Sequence, residues 1–143
     1  MHSTKKKKIS FLIPSITQGG SERIFIQISD YLSNNLNYEV EFFLNGSLNS
    51  KNHLLNKKIK IYSKHNISYK KYLIHLIKYY NSNKPNVVFT SLYIIGFVAL
   101  IARFFSKHKP KIIFGAHNAL SYKINFPDNR SDKIVLSLLA RFL

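Results

Sequence analysis

Apolar positions fall into short runs and helical stripes that alternate along the chain. Residues 8–14 (KISFLIP) are a short apolar run rich in Ile and Phe, the pattern of a buried strand. A loop over 15–20 follows and closes on Gly19 and Gly20. A helix is predicted from Ser21, with Glu22 in its first turn, where a carboxylate suits the helix dipole. Ile24, Ile28, Tyr31 and Leu32 recur at helical spacing and predict its apolar face; Asn34, Asn35 and Asn37 end it. Residues 39–44 (EVEFFL) form the next predicted strand, closed by Asn45, Gly46 and Ser47. The polar stretch 47–58 has no period and is expected to be a loop, with one helical turn at most.

Residues 59–62 (IKIY) alternate like a short strand. Over 68–81, Tyr69, Leu73, Leu76, Ile77 and Tyr80 trace a second amphipathic helix, ended by Lys84-Pro85-Asn86. A strand over 87–90, a largely buried helix over 93–105 and a strand over 111–116 (KIIFGA) follow, the last leading to His117 and Asn118. After a loop over 119–130, Ser131 opens a last helix whose apolar positions are Ile134, Val135, Leu138, Leu139 and Phe142. That pattern is still complete at Leu143, so the domain is expected to be interrupted there. Strands alternating with helices predict an α/β fold: a Rossmann-like parallel sheet with helices on both faces.

The stretch 87–105 approaches the length of a membrane-spanning helix. Its β-rich start, its polar positions and Arg103 favour a strand followed by a helix instead. The basic start and apolar run at 9–16 resemble a signal peptide only superficially. Pro14 interrupts the run, and no small-residue cleavage pattern follows. With no cysteine among 143 residues, disulfides, thiolate metal sites and a catalytic thiol are excluded; this suits a cytoplasmic protein.

Charge is lopsided: 22 Lys and Arg against 6 Asp and Glu leave a net +16. A field of that sign attracts phosphates, anionic lipid headgroups or nucleic acid. Lys, Ile and Asn also share AT-rich codons, so compositional bias is a second source of the excess. Lys57, Lys58, Lys60, Lys64, Lys70 and Lys71 interleave with Tyr62, Tyr69 and Tyr72, a combination able to bind single strands if the tyrosines are exposed beside the lysines. No RNA-binding signature accompanies them, and a nucleic acid is not the expected partner.

In open α/β sheets, ligands bind outside the carboxyl ends of the strands. The loops expected there are 15–20, 45–47, 91–93 and the segment from His117. Gly19 and Gly20 allow close backbone approach, and the helix N-terminus behind them suits a phosphate or sugar hydroxyls. Arg23 is placed to reach an anion. His117 is placed to exchange a hydrogen bond with a substrate oxygen near neutral pH. A tight turn at the glycines, a dipole role for Glu22 and a structural role for His117 are the alternatives. No histidines and carboxylates have metal-ligand spacing.

The opening stretch KISFLIPSITQGGSERIFIQISDYLSNNLNYEVEFFL resembles the start of family 4 glycosyltransferases, which have the GT-B fold. Gly19, Gly20, Glu22 and Arg23 match that family's Gly-Gly-x-Glu-Arg loop, and Val40 alone matches its Gly-His-x-Val turn. KPNVVFTS, KIIFGAHNAL and DKIVLSLLARFL resemble later segments of the same N-terminal domain, with Asn86 where the family usually has Asp. The resemblance implies transfer of a sugar from a nucleotide-sugar to a glycan or lipid-linked acceptor, with retention, and without a catalytic metal or cofactor. It implies donor or acceptor contacts for Gly19, Gly20, Glu22, Arg23 and Asn118, and a transition-state hydrogen bond from His117. It also implies an acceptor-side domain. The family's second domain carries a Glu-x7-Glu site, and no two Glu residues here stand eight apart. The chain alone is therefore expected to be inactive, with a separate chain as one possible source of the second domain. Its basic surface makes peripheral contact with an anionic membrane a further expectation.

Overall fold

The computed structural model describes residues 6–16, 20–36, 38–46, 56–64 and 67–115. In chain order these hold β1 (Lys8–Ile13), α1 (Gly20–Asn35), β2 (Glu39–Leu44), β3 (Lys60–Ser63), α2 (Tyr69–Asn83), β4 (Val87–Thr90), α3 (Tyr93–Phe105) and β5 (Lys111–Phe114). The strands make one sheet in the order β3-β2-β1-β4-β5, and every neighbouring pair is parallel. The α/β architecture expected from the alternation is the one that forms. Residues 87–105 are a strand and a 13-residue helix, and no helix among the described residues is long and apolar enough to cross a membrane. The helix expected from Ser131 lies outside the described residues.

Alternation along each strand sends side chains to two separate cores. On one face Phe11 is fully buried, with Phe42 of β2 and Phe89 of β4 as its register partners. The three rings stack across the sheet with centroids 5.2 Å apart on each side, and Phe25 of α1 closes over Phe11 at 5.4 Å. Such pairs add about 0.5–1.5 kcal/mol each beyond their burial. The other face packs Leu12, Phe43 and Val88 against Tyr72, Leu76, Tyr79 and Tyr80 of α2 and Ile95, Ala99 and Ala102 of α3.

Packing corrects the predicted faces of α1 and α2. Ile24, Ile28 and Tyr31 are exposed, whereas Phe25, Ile26 and Ser29 are buried. The apolar residues of α1 form two competing stripes, and the one carrying Phe25 wins because it meets the phenylalanine row. Ser29 tolerates burial because its Oγ donates to the Ile26 carbonyl at 2.7 Å. In α2, Tyr69 is exposed and Tyr72 and Tyr79 take the inward positions beside Leu76 and Tyr80.

Tyr79 turns inward because its hydroxyl has partners there. It donates to Glu41 Oε2 at 2.6 Å and lies 2.6 Å from Ser10 Oγ. Glu41 is fully buried, receives Asn83 Nδ2 at 3.4 Å, and has Lys8 Nζ at 3.4 Å from Oε1. A buried carboxylate is tolerable only when its charge is paired and its oxygens are hydrogen-bonded. Nearer solvent, the hydrogen bond from Lys60 lowers the pKa of Glu39, and Glu39 in turn raises that of Lys60. This cluster ties β1, β2 and β3 together at the amino-terminal edge of the sheet.

Close approach sets one position outright. A Cβ on Gly96 of α3 would overlap the Phe114 ring of β5 and come within 3.0 Å of Thr90 Oγ1. Gly96→Ala is expected to cost about 1–3 kcal/mol through overpacking, read as a lower midpoint in urea. Trimming Phe114 to Leu in the same chain should recover part of the loss; an additive double variant would show that the contact is not the cause.

Burial raises the pKa values of Tyr72, Tyr79 and Tyr80 well above the ordinary 10.0. Their protonated forms are therefore favoured in the fold, and this stability is complete below pH 10 and declines as pH rises beyond it. Each tyrosine contributes a slope of about 1.4 kcal/mol per pH unit. The hydroxyls of Tyr72 and Tyr80 have no partner among the described residues, whereas that of Tyr79 serves Glu41. Tyr72→Phe and Tyr80→Phe should therefore leave stability at pH 7 unchanged or higher and flatten its alkaline decline. Tyr79→Phe should lower it, as urea titrations at pH 7 and pH 11 would measure.

Candidate functional site

The carboxyl ends of the strands carry, in spatial order, Ser63 and Lys64, Asn45 and Gly46, 14–16, Thr90 and Ser91, and Gly115. Backbone bonds align them: Lys64 N–H donates to Leu44 O at 3.1 Å, Ser91 N–H to Leu12 O at 3.3 Å, and Gly115 N–H to Thr90 O at 2.8 Å. A Cβ on Gly46 would sit 2.7 Å from the Pro14 carbonyl oxygen, so the turns after β1 and β2 touch through backbone. Ser63 Oγ donates to Gly46 O at 2.9 Å and fastens the next strand to the same turn.

β1 and β4 are neighbours in the sheet, yet the helices that follow them lie on opposite faces. Their connections diverge, and this point of divergence is where open α/β sheets form a ligand crevice. Gly20, Glu22 and Arg23 lie on the first turn of α1, directly after the β1 loop. Gly20 is exposed, with nothing within 4 Å of the space a Cβ would fill. Arg23 is exposed, while Glu22 is 9% exposed at the head of the buried α1 stripe, in the positive field of the helix N-terminus. Gly19, His117 and Asn118 lie outside the described residues. Gly115 brings the chain to this same edge two residues before His117.

The structure picks out single polar groups in the expected loops 45–47 and 91–93 and adds Thr90 to them. Thr90 and Ser91 end β4 beside the divergence point, 0% and 3% exposed. Thr90 Oγ1, Ser91 Oγ and, across β1, Asn45 Oδ1 are buried without a hydrogen-bond partner among the described residues. Polar groups buried in this way are uncommon and costly, and they concentrate where a ligand or water completes them. The sequence signal was slight: polar residues at the carboxyl ends of otherwise apolar strands.

The tyrosine-lined nucleic-acid face does not assemble. Of its tyrosines, Tyr72 is fully buried and Tyr62 accepts a hydrogen bond from Asn83 at 2.8 Å, leaving Tyr69 exposed. Among the described residues no group of three His, Asp or Glu is placed to hold a metal ion.

No family model and no curated protein matches this chain. Among solved structures it is similar to the apo form of the lipopolysaccharide outer core galactosyltransferase WaaB, with a TM-score of 0.67 at 20% sequence identity. The match covers 90% of this chain and 36% of that one, so the chain spans little more than a third of that transferase. At this identity the likeness shows the fold: a Rossmann-like α/β sheet similar to the N-terminal half of a GT-B glycosyltransferase.

Replacing an unpartnered buried hydroxyl by a group of similar shape removes a desolvation cost. Thr90→Val and Ser91→Ala are therefore each expected to raise stability, by about 1 kcal/mol, in urea titrations of the folded chain. A loss of similar size would show that these hydroxyls bond within the protein.

Proposed function

We propose that the chain is the acceptor-side part of a glycosyltransferase of the family 4 type, moving a sugar from a nucleotide-sugar to a glycan or lipid-linked acceptor. One observation carries this reading: the buried hydroxyls of Thr90 and Ser91, without a partner among the described residues, end β4 where it diverges from β1, with Asn45 Oδ1 in the same state at the end of β2, in a sheet whose fold is similar to that of a glycosyltransferase half. Hydroxyls and an amide oxygen held out of water suit the dense hydroxyl array of a sugar. Exposed Gly20 and the α1 N-terminus give a phosphate or a hydroxyl a place beside them.

In the proposed reaction an acceptor hydroxyl oxygen bonds to the anomeric carbon as that carbon's bond to the nucleoside diphosphate breaks, and the hydroxyl proton passes to the departing diphosphate. His117 supplies a hydrogen bond to the sugar as charge develops, and Asn118, Gly19, Glu22 and Arg23 position the donor or acceptor. A crevice with one wall positions poorly, so the 143 residues alone are expected to bind sugar without appreciable turnover. A second domain, on the same or another polypeptide, would supply the facing wall.

Saturation-transfer NMR of the chain with a panel of nucleotide-sugars and free hexoses tests this reading. Sugar protons should receive saturation, and His117→Ala should weaken the effect at least about tenfold, the scale of one lost hydrogen bond. Absence of saturation for every sugar at millimolar concentration, with the chain folded, would overturn the proposal. Turnover by the chain alone would overturn the single-wall argument.

A further inference from the structure

α3 inverts the usual distribution of side-chain size. Its inward positions are Ile95, Gly96, Ala99 and Ala102, mostly small residues, while Leu100, Phe104 and Phe105 are exposed. Phe104 is 74% and Phe105 65% exposed, the two highest values among the exposed large apolar residues of the described chain. Their rings meet edge to face at 5.2 Å.

This exposure is built rather than frayed. Lys109 Nζ donates to the carbonyls of Arg103 and Phe104, which end the helix, and lies 5.9 Å from the Phe104 ring centre. Arg103 Nε donates to Pro110 O at 2.9 Å, and Ser106 Oγ to Ala102 O at 2.6 Å. Asn81 of α2 receives the backbone N–H of Lys107 at 2.8 Å. The turn between α3 and β5 is thus held on several sides while it presents two phenylalanines to solvent.

The charge around the pair has one sign. Arg103, Lys107, Lys109 and Lys111 flank it, and no Asp or Glu occurs anywhere between Glu41 and Asp128. On neighbouring α2, Ile74 is exposed between exposed Lys70 and Lys78, repeating the same mixture.

We infer that the carboxyl end of α3 docks on an anionic lipid bilayer, with Phe104 and Phe105 entering the apolar layer and the surrounding cations meeting headgroup phosphates. Exposed aromatic rings ringed by cations without acids fit a surface that is apolar inside and negative at its face. A nucleic acid would satisfy the cations but would leave Leu100, one turn before Phe104 on α3, in water. The patch lies at the edge of the sheet opposite the candidate crevice. Lipid docking and sugar binding therefore stand or fall separately.

The chain has no tryptophan, so Phe105→Trp provides a single fluorescent reporter in the otherwise complete protein. Its emission should shift to the blue with vesicles of phosphatidylcholine and phosphatidylglycerol, and not with phosphatidylcholine alone. Raising salt to about 0.5 M should reverse much of the shift. In co-sedimentation, the Phe104→Ser, Phe105→Ser double variant should lose at least about tenfold in partitioning, the scale of two lost apolar insertions. Circular dichroism would confirm that this variant keeps its fold. Emission already blue-shifted in buffer and indifferent to vesicles would overturn the inference, because the rest of the chain or a second copy would then cover the pair. Undiminished sedimentation of the serine variant would also overturn it, as would binding to polyuridylate without binding to anionic vesicles.

Discussion

Phe11 is the contact on which the arrangement depends. It lies in the central strand, stacks on a phenylalanine from each neighbouring strand and is capped by one from α1. In a parallel sheet a shift of one residue in register moves every side chain to the opposite face. Bringing Phe11, Phe42 and Phe89 into one row therefore selects the register of β1 with both β2 and β4. Once that row exists, the face of α1 is chosen as well, since Phe25 must reach it.

The two edges of the sheet have different chemistry. At the amino-terminal edge every oxygen of the buried Glu41 carboxylate is answered, by Tyr79, Asn83 and Lys8. Such a network ties elements together and leaves little capacity for an outside ligand. At the carboxyl edge, the ends of β2 and β4 hold buried polar atoms with no partner among the described residues. That contrast is what makes the carboxyl edge the candidate site; the Tyr72 and Tyr80 hydroxyls, also without a partner among the described residues, belong to α2 instead.

Close backbone approach maintains that difference. Gly46 lets the β2 turn rest on the Pro14 carbonyl, and Gly96 lets α3 settle over β5 at the Phe114 ring. With small residues bringing α3 down onto the sheet, its bulkier side chains at the carboxyl end are left facing outward. Tight packing beneath α3 and apolar exposure at its end are consequences of the same distribution of residue sizes.

The sequence by itself determined the order of strands and helices and the parallel class of the sheet, because run length, periodicity and glycine placement are local properties of the chain. It also carried a resemblance that the fold comparison supports as far as architecture. Which stripe of each helix faces inward was decided only in the tertiary structure. α1 offered rival apolar stripes, and the choice of Phe25 over Ile24 and Ile28 needed Phe11 on a distant segment. Glu41 and Tyr79 likewise looked like an ordinary strand carboxylate and a helix aromatic until folding set their oxygens 2.6 Å apart, 38 positions removed in sequence. Thr90, Ser91 and Asn45 became candidate ligand groups for the same reason: whether a polar atom is satisfied depends on neighbours contributed by other elements, and periodicity within one element cannot specify them.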